Sequence, residues 1–345
     1  MRFIGCKNNL LDNIESLIEE KCSDSRVFCD IFAGTGTVGS YFKSKYEIIS
    51  NDLLYFSYVL QKGLIELNYE PDFEKLIEHK KKSNKEAITN VYDYLNNLDP
   101  NNYDGEKCIA ERYSPICDRM YLTEHNALKI DYMRTTIESW YKENLITQNE
   151  YYYLIACIIQ EVPSVSNISG TYGAYLKTWD NRAFKDFKIY PLKININKYN
   201  NKAYNQDGIE LLKNISGDIL YIDPPYNNRQ YLPNYHLLET VARYDYPEVS
   251  GITGVRKYTN EKSNWCLKTK VYEEFEKLLK NAKFKHIILS YNSEGLMDKS
   301  RIEEIMKKYG KASTFKLVEI PYRRFRSRSA NAKHGVMEYL FYIEK

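Results

Sequence analysis

Short runs of almost uninterrupted apolar residues, with a polar residue at or near the end of each, recur towards both ends of the chain. They lie at 26–32, 46–52, 217–223 and 285–292. Strands of a parallel sheet covered on both faces have this pattern, because neither face needs to alternate with polar residues. Segments with the helical spacing of apolar residues separate the runs. The sequence therefore predicts an α/β fold built on a doubly wound, mainly parallel sheet.

Two parts of the chain depart from this alternation. Residues 313–322 and 335–345 have the pattern of two strands joined by a loop, which predicts an antiparallel hairpin at one edge of the sheet. The middle of the chain carries longer amphipathic helical patterns and denser charge. We therefore predict an α/β core formed by residues 1–55 and 201–345, with a mainly helical domain inserted at 56–200.

Charge and cysteine content narrow the class of protein only in part. The net charge of +3 neither requires nor excludes nucleic acid. The seven cysteines are odd in number, contain no C-x-x-C pair and follow no signal peptide, so reduced intracellular thiols are expected. The longest apolar runs, such as 151–159, fall short of the roughly 20 residues that cross a bilayer. We expect a cytoplasmic protein that does not enter the membrane.

A glycine-rich segment follows the first predicted strand and opens a helix. The strand ends in Asp30-Ile31-Phe32, and Gly34 and Gly36 allow the backbone to approach a ligand where side chains would block it. A phosphate loop of the Walker type would require a Lys followed by Ser or Thr, which the segment lacks. With Gly39 the spacing matches the dinucleotide fingerprint G-x-G-x-x-G. A nucleotide-type ligand, including nicotinamide or flavin, and a plain tight turn therefore both remain open.

Asp52 ends the second predicted strand, about 20 residues beyond the glycine-rich segment. In folds of this kind an acidic residue at that distance reaches the ribose hydroxyls of a bound nucleotide. The alternative is that Asp52 caps the N-terminus of the next helix. The residues alone leave both roles open.

The segment Asp223-Pro224-Pro225-Tyr226 follows the predicted strand at 217–223. The two prolines remove two backbone donors and stiffen the turn, so the Asp223 carboxylate and the Pro224 carbonyl form a pair of converging acceptors. Such a pair suits the exocyclic amine of a base, whose lone pair is delocalised. Hydrogen bonds accepted from both N–H groups favour the pyramidal form that can attack. Tyr226 would stack on the base, and the alternative is a purely structural turn.

Basic residues predict where an anionic polymer would bind. A loop between the last two predicted strands carries Arg323, Arg324, Arg326 and Arg328. A loop so charged is unfavourable without an anionic partner, so we expect it to contact nucleic acid, with a solvated loop as the alternative. Arg229, Gln230 and Tyr231 directly follow the proline turn and are candidates for closing over a base. Lys177, in the helical middle, is a further candidate.

Four segments, in this order, resemble the DNA adenine-N6 methyltransferases of the Dam-like class, which includes methylases of restriction-modification systems. They are RFIGCKNNLLDNI at 2–14, DIFAGTGTVG at 30–39, ND at 51–52 and YIDPPYNNRQY at 221–231. The D-P-P-Y tetrapeptide is the specific element. Related enzymes that act on RNA or on protein glutamine usually carry Asn at its first position, and those that act on cytosine N4 usually carry Ser or Thr.

The resemblance implies a Rossmann-like, S-adenosylmethionine-dependent methyltransferase that acts on N6 of a flipped adenine in double-stranded DNA. The residues it makes catalytic are Asp223, Pro224, Pro225 and Tyr226. Those it places around the cofactor are Lys7, Asp30, Phe32, Ala33, Gly34, Thr35, Gly36, Asp52 and Asp207. Lys7 matches an early lysine near the methionine carboxylate. Asp207 matches an acidic residue near the cofactor adenine, although it could equally be a helix N-cap.

The resemblance also suggests partners and a role for the helical insertion, which would be a target-recognition domain. Double-stranded DNA is the expected partner, with a cognate restriction endonuclease in the same system, and the chain is expected to act as a monomer. No metal is expected, because methyl transfer from a sulfonium requires no Lewis acid. Two other readings remain, a nucleotide-dependent oxidoreductase and a catalytically inactive DNA-binding relative.

Overall fold

The computed structural model describes residues 5, 7–82, 88–322 and 336–345. Within these residues the strands are β1 (Val27–Asp30), β2 (Glu47–Asn51), β3 (Lys202–Tyr204), β4 (Gly217–Ile222), β5 (Val249–Ser250), β6 (Val255–Arg256), β7 (Phe284–Asn292), β8 (Lys316–Tyr322) and β9 (Val336–Glu344). The α-helices are α1 (Leu11–Lys21), α2 (Thr37–Phe42), α3 (Tyr55–Gln61), α4 (Glu74–Lys82), α5 (Val91–Asn96), α6 (Ala110–Tyr113), α7 (Glu124–Lys142), α8 (Gln148–Glu161), α9 (Gly208–Leu212), α10 (Leu232–Arg243), α11 (Val271–Asn281) and α12 (Lys299–Tyr309).

The chain divides into an α/β unit and a helical unit. The α/β unit comprises Lys7–Leu53, Asn197–Gln230 and Glu261–Lys345. The helical unit contains Leu54–Ile196 and Tyr231–Asn260. Residues 231–260 thus lie in the helical unit, whereas the boundaries drawn from the sequence assign them to the α/β core.

Helix α10 accounts for that difference. Its Leu237, Leu238 and Val241 are buried in the core of the helical unit, and each contributes about 1.5–3 kcal/mol by leaving water. The buried Glu239 carboxylate also accepts the backbone N–H groups of Tyr55 and Phe56, which begin α3. This carboxylate satisfies N–H groups that a helix start leaves without partners, so α10 is fastened to the helical unit.

The α/β unit contains a sheet with strand order β3-β2-β1-β4-β7-β9-β8. Strand β9 runs antiparallel to both neighbours, β7 and β8, and the other pairings are parallel. The parallel strands are buried on both faces, as Phe28, Cys29, Leu220 and Ile222 illustrate. The predicted class is confirmed: an α/β, Rossmann-like fold with a mainly parallel sheet, an antiparallel C-terminal hairpin and a mainly helical second unit.

The topology indicates that a ligand would bind at the carboxyl ends of the central strands of this sheet. From β1 the chain passes to β2 and β3 on one side, then returns to β4 and β7 on the other. Strands β1 and β4 are parallel neighbours, with Asp30 opposite Tyr221. Open α/β sheets bind ligands outside the carboxyl ends of strands where the order reverses in this way. A ligand-binding site is therefore expected at the loops that follow β1 and β4.

The helical unit has its own apolar core, with α7, α8 and α10 contributing many of its buried side chains. Helix α8 begins with a capping box in which Thr147 and Glu150 satisfy each other's backbone N–H groups. Strands β5 and β6 form a short antiparallel hairpin after α10. Among the described residues, no helix is both long and apolar enough to span a membrane.

Candidate active site

The glycine-rich loop turns tightly between the end of β1 and α2. Ala33 donates its N–H to the Asn51 carbonyl at the end of β2 (2.9 Å), and Gly36 donates to the Ala33 carbonyl (2.8 Å). Gly34 and Gly36 have φ of 52° and 76°, where a residue with a Cβ is strained. The loop needs glycine at these positions, and it exposes backbone rather than side chains at the sheet edge.

Asp52 is fixed against this loop. Its carboxylate accepts the backbone N–H of Gly34 at 2.8 Å, and its own N–H donates to the Tyr204 carbonyl at 3.2 Å. The N-cap position of α3 is Leu54. Asp52 therefore does not occupy that N-cap position, and its acceptor group lies at the glycine loop.

Asp30 is a buried acidic residue at the start of the same loop, with 1% of its surface exposed. Its pKa is raised well above the ordinary value, mainly by burial and then by the negative charges of Asp223 and Asp52. Within the described part of the chain, its Oδ1 atom has no hydrogen-bond partner. Buried acceptors are normally satisfied, so this atom is suited to a donor supplied by a ligand.

Two other predicted cofactor residues have clear structural partners. The Phe32 ring packs edge-to-face on Trp265, with the centroids 5.1 Å apart. Asp207 is the N-cap of α9 and accepts the N–H groups of Ile209 and Glu210 at 2.9 and 3.1 Å. The capping role considered for Asp207 is therefore present, and its contact with a cofactor stays a prediction.

The proline turn directly follows β4, beside the strand that ends at Asp30. The Asp223 side chain is 18% exposed, while Pro224 is buried and Pro225 and Tyr226 are half-buried. The Tyr226 carbonyl accepts the N–H of Leu296 at 3.0 Å. The turn is thus anchored through its backbone. The Asp223 carboxylate stays accessible at the end of the sheet where the glycine loop lies.

Lys7 reaches the carboxylate of the proline turn. Its Nζ atom lies 3.1 Å from Asp223 Oδ1, 3.5 Å from Glu338 Oε2 and 5.8 Å from the centre of the Tyr226 ring. Burial alone would lower the pKa of Lys7, but the carboxylates of Asp223 and Glu338 raise it above its ordinary value overall. Lys7 is thus paired with two carboxylates of the protein, and its contact with the cofactor carboxylate stays a prediction.

Glu338, on β9, is a member of this cluster that the sequence analysis missed. It is the acidic residue within the otherwise apolar run VMEYLFYI, and it shares a strand face with the buried Val336 and Leu340. An acidic residue at a core-facing position of a strand was the available signal.

The electrostatics of Asp223 follow from these neighbours. Burial raises the pKa of Asp223 to about 6, with Lys7 opposing the rise and Glu338 adding to it. A carboxyl with this pKa is mostly ionised at neutral pH and is lost as an acceptor as the pH falls through about 6. In the described residues, no group of His, Cys, Asp and Glu is arranged to hold a metal ion.

The residues predicted to bind DNA are placed differently from one another. Arg229 is exposed. The Gln230 amide is tied to the backbone of Ser263, donating to its carbonyl (3.0 Å) and accepting its N–H (2.8 Å). Tyr231 precedes α10 and packs against the core of the helical unit, where Lys177 is exposed. The remaining candidates lie outside the described residues: Arg323, Arg324, Arg326 and Arg328.

Comparison with known proteins adds to this geometry. The family model for D12 class N6 adenine-specific DNA methyltransferases matches residues 3–305. The chain is 49% identical to the type II methyltransferase M.FokI of Planomicrobium okeanokoites and 42% identical to the modification methylase StsI of Streptococcus sanguinis, over 100% of this chain but 53% and 52% of those proteins. It thus spans about half their length. It is 37% identical to the type II methyltransferase M.NlaIII of Neisseria lactamica, over 100% of this chain and 99% of that protein.

Proposed function

Since the chain belongs to the family of D12 class N6 adenine-specific DNA methyltransferases, we propose that it transfers the methyl group of S-adenosylmethionine to N6 of adenine at a specific sequence in double-stranded DNA. The observation that carries the proposal is the position of Asp223. This residue directly follows β4 and begins the proline turn, next to the glycine loop after β1, where the strand order reverses.

Asp223 has the chemistry required at a target amine. Because its pKa is about 6, it is mostly ionised at neutral pH and accepts a hydrogen bond from the exocyclic N–H. The Pro224 carbonyl would accept the second N–H, and the half-buried Tyr226 would offer its ring to the base. An adenine must leave the duplex stack to reach such a turn. Pro224, Pro225 and Tyr226 therefore shape the acceptor site around Asp223.

The residues after β1 and β2 fit S-adenosylmethionine. When bound, it supplies a methyl group activated by the neighbouring sulfonium. The Asp30 Oδ1 atom without a partner and the Asp52 carboxylate can accept from the ammonium and hydroxyl groups of such a ligand. We assign the remaining contacts to Lys7, Phe32, Ala33, Gly34, Thr35, Gly36 and Asp207.

DNA would be held by basic and polar side chains. We assign phosphate contacts to the arginines of 323–328, and to Arg229 and Lys177, which are exposed. Tyr231 is assigned to the target base, and Gln230 to supporting the loop through Ser263. Target recognition is assigned to the helical unit. The names of the relatives support a restriction-modification context, so we also propose a cognate endonuclease, a monomeric state and a cytoplasmic location.

The first test is methyl transfer itself. Unmethylated plasmid DNA and S-adenosylmethionine labelled in the methyl group are incubated with the protein, and label retained by the DNA is counted. We expect transfer to DNA without added nicotinamide or flavin. Binding of the labelled cofactor without transfer would favour the inactive DNA-binding relative, and no binding would favour the oxidoreductase.

A second prediction concerns the arginine loop. Replacing Arg324 and Arg326 with alanine should weaken DNA binding and leave cofactor binding unchanged. Each phosphate contact contributes about 0.9 to the slope of log affinity against log salt, so the slope should become shallower by about 2. The slope is measured by fluorescence anisotropy of a labelled duplex over a range of salt concentrations.

A matched control removes the same charge elsewhere. Lys307 and Lys308 lie on α12, where they pair with Glu303 and Glu276. Their replacement with alanine should leave the salt slope unchanged. Equal slopes for the arginine variant and the unchanged protein would contradict the assignment of the loop to DNA.

A further inference from the structure

Glu338 is a buried carboxylate that the proposed chemistry does not use. Its Oε1 atom accepts the Asn292 side-chain N–H at 3.1 Å, and its Oε2 atom lies 3.5 Å from Lys7 Nζ. Asn292 ends β7 and stands opposite Glu338 in the β7–β9 ladder. The Glu338 and Lys7 side chains are only 7% and 5% exposed. One carboxylate oxygen is thus fastened to the sheet while the other holds the ammonium of Lys7.

The charges of this cluster do not balance. Lys7 carries one positive charge, and the ion pair with Asp223 at 3.1 Å would already be neutral. Glu338 adds a second carboxylate to the same cation, and removing an extra buried charge from water is costly. The folded protein would therefore be more stable with the neutral Lys7–Asp223 pair alone than with Glu338 added to it. Charges arranged in this way cluster at functional sites, where they adjust the groups that react.

We propose that Glu338 is a positioning residue for methyl transfer, which shares the Lys7 ammonium with Asp223 and so preserves the capacity of Asp223 to accept hydrogen bonds from the target amine. Lys7 contacts one oxygen of Asp223, Oδ1, and a carboxylate has a second oxygen. An ammonium held by Asp223 alone would withdraw more negative charge from both oxygens of that carboxylate. With Glu338 present, the attraction of Lys7 is divided between two carboxylates. This inference rests on the proposed function only for the identity of the amine.

The other charged or titratable groups around Asp223 do not replace Glu338. They are Lys7 from the N-terminal segment, Tyr226 in the turn, Tyr221 on β4 and Asp30 at the end of β1. Burial raises the pKa of Tyr221 well above its ordinary value, and the pKa of Asp30 is likewise raised well above its ordinary value, mainly by burial. Glu338 is therefore the group whose negative charge most directly offsets Lys7.

The test titrates Asp223 directly. Protein labelled with ¹³C at the aspartate carboxyl is followed by NMR as a function of pH, and the Asp223 signal is assigned by its absence in Asp223→Asn. We expect a midpoint near pH 6 in the unchanged protein. In Glu338→Gln the midpoint should fall by about one pH unit, because a nearby like charge is removed. In Lys7→Met it should rise by at least about one unit, because the opposite charge is removed.

The control is Glu344→Gln. Glu344 lies on β9, as Glu338 does, and pairs with Lys311, so this variant should leave the Asp223 midpoint unchanged. An unchanged or higher midpoint in Glu338→Gln would overturn the proposal. If that variant does not fold, Asn292→Ala tests the same point, because it releases Glu338 Oε1 and should lower the midpoint by a smaller amount. No shift in that variant would likewise overturn it.

A kinetic measurement connects the charge to the reaction. The acid limb of kcat against pH should move down by the same amount in Glu338→Gln, with a lower kcat at neutral pH. A merely structural residue would lower kcat without moving the limb, and that result would overturn the positioning role. If the unchanged protein does not methylate DNA, the proposed function fails, while the NMR titration still decides whether Glu338 acts on Asp223.

Discussion

Replacement of Asp223 with alanine should nearly abolish methyl transfer while leaving cofactor binding close to that of the unchanged protein. Loss of a preorganised charged acceptor costs on the order of 10²–10³ in rate. The loss should be at the upper end, because the same group also orients the nucleophile. The variant does not change the glycine loop after β1, since Asp52 still accepts the Gly34 N–H. Lys7 remains paired with Glu338, so the variant leaves no isolated buried cation. Single-turnover transfer and equilibrium binding of labelled cofactor separate the two effects.

The control for this variant is Asp218→Ala at the opposite end of β4. Asp218 accepts the backbone N–H groups of Arg26 and Val27, so its loss should lower stability and leave transfer largely intact. Thermal denaturation of each variant distinguishes instability from lost chemistry. Near-normal transfer by Asp223→Ala would mean that the proline turn is only structural.

Replacement of Gly36 with valine should have the opposite signature, a loss of cofactor affinity. Gly36 has φ 76° and ψ 17°, a conformation that a β-branched residue adopts only under strain. Relief of strain of about 1–3 kcal/mol would displace the loop, and about 1.4 kcal/mol corresponds to tenfold in affinity. We expect cofactor affinity to fall about tenfold or more, as measured by calorimetry.

The matched control for Gly36→Val is Gly251→Val. Gly251 has φ 69°, similar to that of Gly36, and an added Cβ would meet no atom within 4 Å. The variant therefore introduces comparable backbone strain in the helical unit, whereas the loop after β1 belongs to the α/β unit. Stability should fall in both variants, but cofactor affinity only in Gly36→Val. Equal losses of affinity would show that general destabilisation, not the loop, is responsible.

The main strands could be predicted because the buried part of a parallel strand covered on both faces is apolar, as 219–222 illustrates. Strand β3 could not be predicted from the sequence. It is an edge strand of three residues, Lys202–Tyr204, and its lysine is exposed, so its apolar pattern is too short to recognise. Helix α10 was recognised as a helix, but its amphipathic pattern does not say which core its apolar face enters. That depends on distant partners such as Tyr55 and Phe56.

The candidate site shows the same division. The loops after β1 and β4 carry local signals, glycines in one and two prolines in the other, so the sequence alone identifies them as candidates. The interaction of Lys7 with Glu338 joins residues 331 positions apart in the chain. It depends on the register between β7 and β9, which places Glu338 opposite Asn292. A local pattern contains no information about that register, so the charge-sharing cluster emerges only from the fold.

The chemical identity of the modified base shows whether Asp223 acts on the amine of adenine. DNA from a host without methylases is incubated with the protein and S-adenosylmethionine, digested to nucleosides and analysed by mass spectrometry. N6-methyladenine should appear with the unchanged protein and be nearly absent with Asp223→Ala. N4-methylcytosine, or DNA that stays unmodified with the unchanged protein, would contradict the account.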